Sequence, residues 1–165
     1  MTYKLIAIDL DDTLLRNDLT ISDRTKRAIA AAMDKGTLVT FATGRMYRSA
    51  LPYALDLGLD LPLITYQGAL VKYADGRLVH HRPIELPIAQ EVIELGKQWG
   101  IHVNVYLNDE LYMEKVTQWG KNYATRVRVP INILDLPARL EQDPTKILFL
   151  AEPEVLDEVI QKLAE

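Results

Sequence analysis

Cysteine is absent from this 165-residue chain, so neither a disulfide nor a thiolate metal site can form. A cysteine-free chain suits a reducing compartment, and the expected location is cytoplasmic. Positive charge is not in excess either. Nineteen Lys and Arg stand against 23 Asp and Glu, a formal net charge of −4, which offers no basic surface to a nucleic acid or an anionic membrane. The longest apolar runs are far too short to cross a bilayer. The N-terminus lacks the basic lead, apolar stretch and small-residue cleavage site of a secretory signal. No Gly/Ser linker, repeat or low-complexity tract breaks the chain. What is present, 48% hydrophobic and 25% charged residues, is the make-up of a globular protein with a real core. The length favours one domain and allows two small ones.

Residues 3–9, YKLIAID, form a nearly continuous apolar run, the pattern of a strand covered on both faces in a parallel sheet. Ser22 is placed to N-cap a helix to about Asp34, with Ile29 and Met33 on its inner side and Gly36 as its stop. A second strand, Thr37–Ala42, runs into Thr43-Gly44-Arg45. A helix with Pro52 in its first turn and a third strand, Leu61–Tyr66, follow. This alternation predicts a βαβαβ unit with right-handed crossovers.

The rhythm then changes. Asp75-Gly76 between two strand-like segments signals a hairpin. Pro87 opens an amphipathic helix closed by Gly100, and a turn at Asn108-Asp109 separates IHVNVYL from LYMEK. A helix near 116–124, strands near 126–134 and 146–151, and a helix from Pro153 complete the pattern. The expected architecture is an α/β part over residues 1–83 and an α+β part over 84–165.

The first strand ends in "DLDDT", three carboxylates in four positions. Alternation along an extended chain would point Asp9 and Asp11 the same way, roughly 6–7 Å apart. Ligands of open α/β sheets bind outside the carboxyl ends of the strands. An acidic pair there can hold a hard cation such as Mg²⁺, or supply a nucleophile beside a proton donor. The second strand delivers complementary groups to the same edge: the Thr43 hydroxyl, the unobstructed Gly44 N–H and the planar Arg45 cation. Carboxylates beside phosphate-grade donors point to phosphoryl chemistry, with Mg²⁺ relieving repulsion between two anions.

"DLDDT" (Asp9–Thr13) resembles the first motif of the haloacid dehalogenase (HAD) superfamily, Asp-x-Asp-x-Thr, and "FATGR" (Phe41–Arg45) its second. "ITYQGA" (Ile64–Ala69) resembles the Ile-x-x-Asn-Gly-Ala loop of the Cof-type sugar-phosphatase branch, with Gln67 in place of Asn. The resemblance implies a Rossmann-like HAD core with an inserted α+β cap. It implies Asp9 as nucleophile and Asp11 as general acid and base, with the Asp9 carboxylate and the Asp11 carbonyl on Mg²⁺. Leu10, Thr13, Thr43, Gly44 and Arg45 would bind phosphate or substrate, a small phosphorylated metabolite such as a sugar phosphate.

The superfamily's third motif, a Lys, and its fourth, a Gly-Asp-rich acidic pair, have no counterpart here, and no glycine follows Gly120. The chain therefore resembles the N-terminal part of a longer phosphatase, with weak Mg²⁺ binding and little turnover expected of it alone. The first strand would keep an unpaired edge, which invites self-association or strand exchange. A phosphomutase of the same superfamily and a non-catalytic binding module are the alternative readings. His80, His81 and His102 lack metal-ligand spacing, and Trp99, Trp119 and Tyr123 are read as packing residues.

Overall fold

The computed structural model describes residues 3–136 and 138–163, and the chain divides into two compact units, Met1–Arg82 and Pro83–Glu165. In the first, β1 (Leu5–Ile8) pairs in parallel with β2 (Leu38–Phe41), Leu5 opposite Leu38 and Ile8 opposite Phe41. Between them runs α1 (Asp23–Met33), whose N-cap Ser22 accepts the Thr25 N–H through its side chain. Gly36 then turns the chain with φ +82°, a left-handed conformation that glycine adopts without strain. Helix α2 (Tyr47–Asp56) leads to β3 (Leu63–Thr65), which joins β2 through a parallel bridge, Ala42 opposite Ile64. The antiparallel strands β4 (Leu70–Lys72) and β5 (Leu78–His81) extend from β3, linked by the predicted Asp75-Gly76 turn.

Two local expectations are corrected here. Pro52 lies inside α2 and not in its first turn, because the helix starts at Tyr47, directly after the Arg45 corner. Strand β1 is not covered on both faces. Leu5 is 55% and Ile6 37% exposed, and among the described residues β1 pairs only with β2. Its apolar run suits a doubly covered strand, but the described chain supplies only one neighbour.

The second unit is a four-stranded sheet in the order β8-β7-β6-β9. The hairpin of β6 (His102–Leu107) and β7 (Glu110–Met113) turns at Asn108 and Asp109, both left-handed. β9 (Lys146–Leu150) pairs antiparallel with the other side of β6, and β8 (Ile131–Ile133) pairs in parallel with β7. The expected strand near 126–134 is shorter, because α4 (Gln118–Val127) continues to a left-handed C-cap at Arg128. Helix α3 (Leu86–Gln98) packs on one face of β6, where Ala89, Ile93 and Val105 share a core with Leu136 and Leu140. Helix α5 (Pro153–Leu163) closes the described chain. No helix among the described residues is long and apolar enough to cross a membrane.

The opposite face of β6 carries polar groups inward. His102 is 8% exposed and Asn104 fully buried. The imidazole Nδ1 lies 2.9 Å from the Thr117 hydroxyl, and Nε2 2.9 Å from the Asn104 carboxamide oxygen. A Thr117 O–H donating to Nδ1 fixes the neutral tautomer with its proton on Nε2, donated to Asn104. Burial holds the His102 pKa below the ordinary histidine value, an effect the Asn104 bond opposes and the Lys115 charge reinforces.

Two measurements follow, both read by fluorescence, since Trp99 and Trp119 are the chain's only tryptophans and both lie in the second unit. As pH falls below about 6.5 the unfolded chain takes up a proton that folded His102 declines, so stability drops. Urea midpoints should therefore fall from pH 7 to pH 5, with a shallower slope in His102→Gln. Gly96→Ala should cost about 1–3 kcal/mol despite alanine's better helix propensity. Its Cβ would stand 2.6 Å from Val103 Cγ2 and 2.9 Å from Phe149 Cε1, side chains of β6 and β9.

Candidate active site

The chain runs into three carboxylates at the end of β1 by leaving the strand conformation. Residues Leu10–Leu14 form one wide helical turn, closed by the Leu15 N–H donating to the Leu10 carbonyl at 2.9 Å. Leu10 is fully buried and Leu15 8% exposed, so two leucines anchor the feet of an arch that carries Asp11, Asp12 and Thr13 outward. Asp12 stands at φ +55°, a left-handed position that aspartate tolerates better than most residues. Strand alternation thus does not set the relation of Asp9 to Asp11, as the sequence reading assumed. Asp9 ends the extended segment at ψ 154°, Leu10 turns inward, and Asp11 rises from the turn.

The second segment arrives on β2. Because β2 lies in parallel beside β1 and is bridged to β3, its end falls on the same edge as Asp9. The Thr43 N–H donates to the Ile64 carbonyl at 2.9 Å, and the Thr43 hydroxyl accepts the Arg45 N–H at 3.2 Å. That leaves the hydroxyl proton of this buried threonine to donate elsewhere. Arg45 then turns back across the edge. Its Nε and one Nη reach the two oxygens of Asp11, each at 2.8 Å, in a two-pronged ion pair. The Arg45 side chain is 3% exposed and that of Asp11 35%. The paired carboxylate raises the guanidinium pKa, which burial opposes.

The structure thus brings Asp11, Thr43, Gly44 and Arg45 together, with Asp9 exposed at the end of the adjoining strand. Leu10 contributes to the core through its side chain, so only its backbone can serve a ligand, and Thr13 lies exposed on the turn. Tyr53 was missed by the sequence reading. Its ring stands 5.6 Å from the Arg45 guanidinium carbon and its hydroxyl donates to the Leu19 carbonyl at 3.1 Å, so it braces the cation from α2. No motif marks it; only an aromatic on the helix after Arg45 hints at the role. Among the described residues no group of three or more His, Asp or Glu converges on a metal site. The exposed Asp9 carboxylate offers oxygen donors at this edge, whereas the Asp11 side chain is held by Arg45. Mg²⁺ is commonly held by one or two carboxylates with waters and phosphate oxygens, and this donor set suits such a site.

Comparison with known proteins shows the family and the fold. The family model for haloacid dehalogenase-like hydrolases matches residues 6–165, and the chain belongs to that family. It is 30% identical over 155 residues to the 5-amino-6-(5-phospho-D-ribitylamino)uracil phosphatase YitU of Bacillus subtilis, covering 91% of this chain and 57% of that one. The crystal structure of TM0651 from Thermotoga maritima superposes with a TM-score of 0.81 at 31% identity, over 98% of this chain and 61% of that one. The subclass IIB sugar phosphatase BT4131 shares the fold, with a TM-score of 0.81 at 19% identity over 96% of this chain and 62% of its own. The chain thus spans about six-tenths of the length of these proteins. HAD-family phosphatases generally use a divalent metal.

The Arg45–Asp11 pair is asymmetric, and its mutants should be too. Asp11→Ala strands a buried guanidinium, whereas Arg45→Met leaves a carboxylate that water can reach. Asp11→Ala should therefore be the more destabilising, by about 1–2 kcal/mol within the few kcal/mol that breaking such a pair costs. Thermal unfolding of both variants, followed by circular dichroism, measures the difference.

Proposed function

We propose that this chain carries the nucleophile-bearing part of a phosphomonoester hydrolase, its second unit serving as an α+β cap. The observation that carries this reading is the Arg45–Asp11 pair beside the Thr43–Gly44 corner, on the edge where β1 presents Asp9. In this reading an Asp9 carboxylate oxygen attacks phosphorus, the bond to the leaving oxygen breaks, and Asp11 gives that oxygen its proton. Water then attacks the aspartyl-phosphate, Asp11 takes the water proton, and orthophosphate departs with Asp9 restored. Thr43 and the Gly44 N–H hold the transferring group.

Arg45 favours ionised Asp11, the form that accepts a proton from water. For the first step Asp11 must carry a proton, which the ion pair opposes. An arriving phosphate dianion competes for the guanidinium and so loosens that hold. Mg²⁺, held by the Asp9 carboxylate and the Asp11 carbonyl, would supply charge neutralisation between nucleophile and phosphate.

Small phosphorylated metabolites such as sugar phosphates are the proposed substrates, supported by the likeness to YitU, a phosphatase named for a small phosphorylated metabolite. The reading includes no nucleic-acid or membrane partner, in keeping with the net charge of −4. It places the protein in the cytoplasm, supported by the absence of cysteine. The exposed β1 edge, with Tyr3, Leu5 and Leu38 at its surface, supports self-association or strand exchange.

The test is a titration of beryllium fluoride, a phosphoryl mimic, with Mg²⁺, followed by p-nitrophenyl phosphate turnover. Weak binding lost in Asp9→Asn, with little turnover by this chain alone, is the expected result. No binding would remove the functional reading. Rapid turnover abolished by Asp9→Asn would show instead that these 165 residues suffice.

A further inference from the structure

The loop after β3 holds a backbone that its sequence does not favour. Tyr66 and Gln67 stand at φ +52° and +53°, and Gly68 follows at φ +96°. Only the glycine adopts such a conformation freely, and the two others carry strain of about 1–3 kcal/mol each. The surroundings hold them there. The Tyr66 N–H donates to the Arg45 carbonyl at 2.9 Å and the Gln67 N–H to the Thr43 carbonyl at 3.2 Å. The Tyr66 side chain is buried at 3% exposure, and the Ala69 N–H closes the turn onto the Tyr66 carbonyl at 3.0 Å. The two residues flanking Gly44 are thereby stitched to the two left-handed residues.

This stitching lays the Gln67 side chain over Gly44. A Cβ built on Gly44 would stand 3.8 Å from Gln67 Cγ, 3.2 Å from Cδ and 2.6 Å from Nε2, so the carboxamide end comes nearest. That end occupies the space a side chain at position 44 would take. Strain kept in an exposed loop, with its amide turned over a donor-bearing corner, points to use at the corner. Packing alone does not need it, since Gln67 is exposed.

We propose that the Gln67 carboxamide is a substrate-binding group, a neutral third donor beside the Thr43 hydroxyl and the Gly44 N–H in the seat of the phosphoryl group. This rests on the functional reading above and deepens it. An amide neither titrates near neutral pH nor competes with Arg45 for Asp11, so it adds hold on phosphate without disturbing the acid–base pair.

Calorimetric titration of inorganic phosphate with Mg²⁺ tests it, on the unsubstituted chain and on Gln67→Leu, Gln67→Glu, Gln67→Asn and Thr43→Val. Gln67→Leu should bind phosphate roughly tenfold more weakly, the loss of one bond to a charged group. Gln67→Glu, the same shape with a charge opposed to phosphate, should bind more weakly still. Gln67→Asn keeps the carboxamide and accepts a left-handed backbone, so it should recover most of the affinity. Unchanged affinity in Gln67→Leu and Gln67→Glu, with Thr43→Val weakened, would overturn the role of Gln67 and leave the seat standing. Absence of phosphate binding by the unsubstituted chain, or binding indifferent to Thr43→Val, would overturn the seat and this proposal together.

Discussion

Everything at the candidate site depends on the parallel registration of β2 between its neighbours. Ile8 pairs with Phe41 on one side, and Ala42 with Ile64 on the other. Parallel strands end on the same edge, so one pairing pattern fixes three chain segments that are far apart in sequence: Asp9 onward, Thr43–Arg45 and Thr65–Gln67. The register is specified by burial. Val39 is 3% exposed and Phe41 fully buried, and a slip of one residue would turn both to the opposite face. The Thr40 hydroxyl adds a 2.6 Å bond to the Pro62 carbonyl, which ties β2 to the chain entering β3. The chemistry of the edge is a consequence of apolar packing beneath it.

Charge is organised by a single buried cation. A guanidinium at 3% side-chain exposure needs partners on every side. Arg45 finds them in the two Asp11 oxygens and the face of Tyr53. The planar fork of arginine makes this arrangement directional, which the point charge of a lysine would not. A carboxylate gripped at both oxygens has one orientation, so the turn carrying Asp11 is fixed from the β2 side as well as by its own leucines. The result is an ion pair whose geometry is set by the fold itself.

Much of this was legible in the sequence. Strand and helix existence, the Ser22 cap, the Asp75-Gly76 and Asn108-Asp109 turns and the residue types of the edge follow from short-range patterns, and the structure agrees. What escaped the sequence depends on contacts made elsewhere in the chain. Alternation could not reveal the turn after Asp9, because it forms only when Leu10 and Leu15 both find the core. Pro52 pointed to a helix start by its usual preference, yet α2 begins earlier, where Arg45 leaves the sheet edge. The tail of α4 fell within the strand expected near 126–134, whereas the helix continues to Val127 with Ala124 buried at 5% exposure. Arg45 was read either as a substrate-binding residue or as an ion-pair residue, and its partner Asp11 could not be seen from spacing, since 34 residues separate the two.

The left-handed residues show how the two units use backbone strain differently. In the second unit Asn108 and Asp109 take positive φ in a two-residue hairpin, where both residue types are at ease and the turn follows the strand twist. In the first, Asp12, Tyr66 and Gln67 take it beside the acidic edge, and Leu19 in the turn its N–H closes on the Arg16 carbonyl. Tyrosine and glutamine have no side-chain chemistry that favours the conformation. Their cost must be met by bonds and burial around them, and the backbone bonds to Thr43 and Arg45 are where it is met. A loop fixed in this way resists relaxing toward a more comfortable shape, so its shape is a property of the edge and not of the loop's own sequence. A backbone that left the left-handed region would ease the local strain only by giving up the loop's grip on the corner that holds Arg45.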